Sequence, residues 1–185
     1  GSWQLAAGSI DVDNGYDAFS LDNNRKTRSD EPGRDAQESL YLAFNATTKL
    51  SDAVLGEVAL GWVDSDVAYG YDEDWTFDGF HPFGYRSADL YLRDVETRTA
   101  DVRLLSAPGQ GLVDGAVDWL VGLYALDKEV DFSRDYTFAG GLFSSDYAID
   151  RLALYGELAA NLANDMRISV GLRAEQHKSL SLIHI

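Results

Sequence analysis

The sequence predicts an all-β fold: an antiparallel, up-and-down segment of a transmembrane β-barrel, about seven strands of a larger wall. The prediction rests on apolar–polar alternation with a period of two in many segments. Connections that alternate between long and short support it, as does the lack of any apolar run near the roughly 20 residues of a spanning helix. In an up-and-down sheet, alternate connections lie at opposite ends. Long loops at one end, tight turns at the other and one greasy face are the pattern of outer-membrane barrels.

The alternation is plainest in Arg151–Glu175, RLALYGELAANLANDMRISVGLRAE. Leu152, Leu154, Leu158 and Leu162 share one parity with Met166, Ile168, Val170 and Leu172, while Arg151, Tyr155, Glu157, Arg173 and Glu175 take the other. Partners across a hairpin must point to one face, so the register follows from the sequence. A three-residue loop of Ala163, Asn164 and Asp165 sets Leu162 on Met166, Ala160 on Ile168 and Leu158 on Val170. It also pairs Tyr155 with Arg173 and leaves Glu157 diagonal to Arg173. A two-residue loop would place Leu162 against Arg167 and mix the faces.

The remaining elements follow in order. Ser2–Val12 reads as a strand, and the Gly-, Pro-, Asn- and Asp-rich stretch Asp13–Gln37 as a loop. Its DVDNGYD start has a Gly one place early for a helix-loop-helix calcium site and no closing Glu, so no metal is expected there. Glu38–Leu50 alternates again and turns at Ser51, Asp52 and Ala53 into the strand from Val54. The same three-residue design sets Leu50 on Val54, Ala46 on Val58 and Phe44 on Leu60. Gly70–Ala88 reads as a long loop holding Tyr71, Trp75, Phe77, Phe80, Phe83 and Tyr85 among four acids. A strand over Asp89–Leu105 places Val102 and Leu104 opposite Asp101 and Arg103, and Ala107–Gly115 is a Pro and Gly turn region. Ala116–Val130 is apolar on both parities; Asp118 and Lys128 send its even positions inward, and Gly122 with β-branched and aromatic content favours strand over helix. Asp131–Asp150 reads as a third long loop before the final hairpin.

Composition closes off other functions. The net charge of −16 argues against nucleic acid, whose phosphates call for basic patches. Zero cysteines remove disulfides and thiolate metal sites. His81, His177 and His184 are scattered without ligand partners at metal spacing, and no nucleophile elbow or phosphate loop is present. The sequence therefore predicts no catalytic residue, no cofactor and no metal; the protein is expected not to be an enzyme.

Three phrases, DVRLLSAPG, VDWLVGLYALDKEVDF and LYGELAANLANDMRISVGLRAE, in that order and spacing, resemble consecutive strands of the TonB-dependent outer-membrane receptors. YGYDEDW at Tyr69–Trp75 resembles the start of an extracellular loop in that family. The resemblance covers residues 1–179, an internal piece of the receptor barrel, and 180–185 read as a possible appended tail. It implies a barrel of about 22 strands around an N-terminal plug, placed in outer-membrane lipid. Such a receptor captures a scarce small-molecule solute (siderophore, cobalamin or carbohydrate) for import driven by the TonB complex. A passive porin-like barrel and a soluble β-sandwich binding module are the alternatives. Tyr71, Trp75, Phe77, Phe80 and Tyr85 are the candidate ligand contacts, because Trp and Tyr among acids suit sugars or aromatic ligands. Arg103, Tyr155, Glu157, Arg173 and Glu175 are expected on the lumen wall.

Overall fold

The computed structural model describes residues 1–15, 19–31, 33–138, 141–162 and 166–184. They form one seven-stranded antiparallel sheet in which sequence neighbours are spatial neighbours throughout. The strands are β1 (Ser2–Asp13), β2 (Arg34–Lys49), β3 (Val54–Asp72), β4 (Ala88–Ser106), β5 (Val117–Tyr136), β6 (Gly141–Asn161) and β7 (Arg167–His184). A single 3₁₀ turn at Pro82–Gly84 is the only helical element among the described residues. Among the described residues no helix is long and apolar enough to cross a membrane.

Both expected registers are present. Ala46 faces Val58 and Phe44 faces Leu60, with the Leu50 amide bonded to the Val54 carbonyl at 3.0 Å. Ala160 faces Ile168, Leu158 faces Val170 and Tyr155 faces Arg173. The Ala163–Asp165 turn itself lies outside the described residues; the strands on either side of it carry the predicted pairing. β7 runs on through Ser179–His184, which pair with Ile149–Ser144 of β6.

The expected long loop over 131–150 is corrected. Phe132 pairs with Ser145 and Tyr136 with Gly141, so β5 and β6 extend as one tall hairpin joined by residues 137–140. In this stretch both faces are polar, with Asp131, Ser133 and Asp135 backing Phe132, Arg134 and Tyr136. The hydropathy contrast that marks a strand fades although the backbone ladder continues. The first long connection likewise shortens to 14–33, because β1 and β2 each grow toward it.

The sheet sorts its side chains sharply. One face carries Trp3, Leu5, Leu42, Leu60, Val102, Leu104, Leu123, Leu154, Leu158, Val170 and Leu172, all well exposed, Leu172 at 82%. An apolar surface this continuous on a single face is the mark of an interaction surface, not of scattered surface residues. On the same side, beyond this belt, the character reverses. Asp11, Glu38, Asp66, Asp94, Asp131 and Asp146 face one another in succession across β1 to β6. Asp64, Glu96 and Glu129 make a parallel row beside them. Trp62 stands at the boundary and donates its indole N–H to Glu96 at 2.7 Å.

The opposite face is polar and aromatic. Two glycines there make room for rings: a Cβ on Gly122 would meet the Tyr155 ring at 2.3 Å, and one on Gly8 the Tyr41 ring at 2.5 Å. A tyrosine laid over a strand glycine packs the gap that the missing side chain leaves.

Candidate functional site

At the end of the sheet remote from the tight turns, the β3–β4 connection, residues 73–87, is built by its own acids. Asp72 closes β3 and accepts the backbone N–H groups of Asp74 at 3.2 Å, Trp75 at 3.1 Å and Asp30 at 3.2 Å. Asp74 accepts the Thr76 N–H and hydroxyl at 2.9 and 2.7 Å and the Ser87 N–H at 2.9 Å, which ties the start of the loop to its end. Glu73 accepts the hydroxyls of Tyr85 at 2.8 Å and Tyr136 at 3.3 Å. Aspartates bonding the backbone two or three residues on are the standard means of fixing a turn. Here Asp72 holds Trp75 at a positive φ of 59°, a costly conformation for a non-glycine residue.

Burial alone would raise the Asp74 carboxyl, but the Thr76 and Ser87 hydrogen bonds more than offset it and hold the group below the ordinary aspartate value. The bond from Tyr85 to Glu73 raises the Tyr85 phenol, since the neutral form is the donor. Asp72, Thr76 and Ser87 are buried. Asp72, Glu73 and Asp74 are thus turned inward as structural acceptors, while Asp78 stays exposed beside the outer rings.

The β1–β2 connection packs onto this loop. Phe19 stacks on Trp75, ring centroids 5.5 Å apart and 9° from parallel, and meets Tyr71 edge-on at 6.1 Å. Asp30 accepts the Asp78 N–H at 2.8 Å, Glu31 pairs with Arg86, and the Arg28 guanidinium lies 5.4 Å over Phe80. Of the predicted ligand contacts, Trp75 and Tyr71 are therefore half-buried under Phe19. Phe77 and Phe80 are exposed and touch each other at 5.5 Å, and Tyr85 contacts His81 and Phe138, each at 5.5 Å. They form two groups of rings, Tyr71 and Trp75 joined through Phe19 on the strand side, and Phe77, Phe80 and Tyr85 joined through His81 farther out.

Below the loops an aromatic band crosses the polar face. Tyr69 meets Tyr91 at 6.5 Å, Tyr91 meets Phe132 at 6.1 Å, and Phe132 meets Phe143 at 5.9 Å. Arg134 lies between Tyr91 and Tyr136, 5.1 and 4.7 Å from their centroids. It makes a two-pronged bond to Asp89 at 2.8 and 2.5 Å, a carboxylate only 1% exposed. The Tyr91 hydroxyl adds a bond to Asp89 at 2.8 Å.

At the height of the apolar belt, the five expected wall residues share this polar face. Tyr155 crosses over Gly122 and donates to Asp101 on β4 at 2.7 Å, and Arg103 holds the same Asp101 with two bonds of 3.0 Å. Arg173 stacks over Tyr124 and Tyr155 at 5.3 and 5.8 Å and bonds Glu175 at 2.9 and 2.5 Å. Glu157 is diagonal to Arg173 by register but exposed, and Arg173 takes Glu175 instead.

Sequence reasoning missed Asp101, the acceptor at the centre of this cluster. Its signal was available: it stands two residues from Arg103, on the same face. Phe19, Asp89, Tyr91, Phe132 and Arg134 were also missed, the last because residues 131–150 read as a loop. Among the described residues no group of three or more His, Cys, Asp or Glu is arranged to hold a metal ion.

No protein-family model and no curated protein matches the sequence. Among solved structures, the ferric yersiniabactin uptake receptor FyuA from Yersinia pestis is similar in fold, with a TM-score of 0.57 at 12% identity. The match takes in 98% of this chain and 32% of that one, so the chain spans about one third of the length of the receptor it resembles. What this likeness establishes is the fold: the seven strands match a segment of a β-barrel.

Proposed function

We propose that the sheet is an arc of an outer-membrane receptor barrel that captures a scarce small-molecule solute for energised import, in the manner of the TonB-dependent receptors. One observation carries the reading. A belt of exposed apolar side chains covers one face of a sheet that is polar on the other, and its fold is similar to that of an uptake receptor. In lipid, every backbone group must be paired within a closed wall, which an arc achieves only with further strands on both bare edges. The belt then faces lipid, the polar face lines the lumen, and the joined loops with their outer rings lie at the external mouth. Tyr71, Trp75, Phe77, Phe80 and Tyr85 are the proposed solute contacts at that mouth. Arg103, Tyr155, Glu157, Arg173 and Glu175 form the lumen wall against which a plug would sit. Transport coupled to a TonB complex through that plug, without catalysis on the solute, completes the proposal.

The four tryptophans supply the test. Trp3, Trp62 and Trp119 lie on the belt face, whereas Trp75 sits in the loops. In single-tryptophan variants of the full-length protein reconstituted with brominated phospholipid, the three belt tryptophans are quenched and Trp75 is not. Equal quenching of all four, or of none, overturns the membrane assignment.

A further inference from the structure

The acidic surplus of this chain is distributed unevenly. The rows running from Asp11 to Asp146 and from Asp64 to Glu129 lie on the belt side of the strands. On the polar face three acids are tied to bases, Asp89 to Arg134, Asp101 to Arg103 and Glu175 to Arg173, and Glu57 and Glu157, unpaired among the described residues, lie toward the tight-turn end. Above them, three cations on that face are left over.

Arg93 is exposed, its register partners are Val67 and Phe132, and among the described residues no carboxylate lies within ion-pair distance of it. Its guanidinium rests 5.4 Å over the Phe132 ring. Lys128, lower on β5, faces Thr97 and Ile149. Arg151, on β6, faces Leu126 and His177, and its Nε is buried with no hydrogen-bond partner among the described residues. These three cations descend as a diagonal over β4, β5 and β6, from the aromatic band toward the middle of the wall. The drop from Phe132 to Leu126 corresponds to about 20 Å of strand. A cleft lined by cations of one sign draws in anions, and low-dielectric walls strengthen the pull. A guanidinium beside aromatic faces can meet an acid group while the rings stack on a planar one.

We propose that the polar face conducts an anionic solute bearing a planar ring, first held between Arg93 and the Tyr91–Phe132 pair and then passed down to Lys128 and Arg151. This rests on the transport reading and specifies the class of solute.

The test uses the full-length receptor in detergent and equilibrium dialysis with three probes: benzoate (ring and charge), cyclohexanecarboxylate (charge, no aromatic ring) and benzyl alcohol (ring, no charge). Benzoate is expected to be retained about tenfold better than benzyl alcohol, the scale of one charge-assisted contact, and better than cyclohexanecarboxylate. Arg93→Gln should reduce benzoate to the level of benzyl alcohol, Arg93→Lys should keep most of the preference, and Asp94→Asn on the other face should not lower it. If Arg93→Gln does not fold, Lys128→Gln carries the charge test and should weaken benzoate alone. Equal retention of charged and neutral probes by the wild type, or a preference unmoved by the folded variant, overturns the proposal. A receptor quenched by brominated lipid that shows no probe preference refutes the solute class alone. A receptor with the preference but no quenching refutes the membrane reading instead.

Discussion

Substituting Asp66 by Asn should make the protein more stable, against the usual sign of a mutation in a strand. Asp66 stands directly between Glu38 and Asp94 in the cross-strand acidic row. Facing Cβ atoms in such a ladder lie about 5 Å apart, which puts the carboxylate charges at about 6 Å. At the dielectric of water each pair then repels by about 0.7 kcal/mol, so neutralising Asp66 relieves about 1.4 kcal/mol at low ionic strength. Screening reduces this to about 0.7 kcal/mol at 0.15 M salt, where the Debye length is about 8 Å, and to about 0.2 kcal/mol at 1 M. The assay is urea unfolding of the refolded full-length protein by tryptophan fluorescence, across that salt range. Asp89→Asn is the control with the opposite sign, since it removes the partner of Arg134 from a buried bond. A loss of stability in Asp66→Asn, or a gain that does not shrink with salt, would refute the electrostatic account of this row.

Two further outcomes follow from other parts of the sheet. Leu158→Arg places a charge within the apolar belt and should destabilise the inserted barrel by about 2–4 kcal/mol if the site lies near the midplane; heat-dependent migration in detergent gels reads the effect, and an unchanged transition would mean the belt is not in lipid. The Asp74 carboxyl has its folded pKa below the ordinary value of 3.8, so its contribution is complete above that value and is lost as pH falls through the lower, folded one. The Ser87 amide, which donates to Asp74, should therefore stay protected from hydrogen exchange from neutral pH down to about 4 and lose protection in stronger acid, while Asp74→Asn loses it already at neutral pH.

The hairpins were readable because the belt makes one parity unmistakably apolar; a slip of one residue would drive Arg167 or Arg173 into it. Where the strands rise beyond the belt, as in Asp131–Asp150, no buried face remains to enforce contrast, and backbone pairing continues without a hydropathy trace. The loop residues were legible as a cluster but not in their roles. Asp72, Glu73 and Asp74 read as part of a polar binding surface, and only the fold turns them inward onto amides and phenols. The wall cluster was half legible for a related reason. Parity puts Arg103, Tyr155 and Arg173 on one face, whereas the reach of Tyr155 to Asp101 depends on the missing side chain of Gly122 on the strand between them.

The directions of the strands also set a parity on assembly. In an up-and-down sheet of seven, β1 and β7 run the same way, so bringing their edges together would make a parallel seam with slanted bonds. The two edges are also unequal, 12 residues against 18, and a direct seam would leave part of β7 without partners. A closed wall that keeps every pair antiparallel must therefore insert an odd number of strands between these edges, the first of them long enough to match β7.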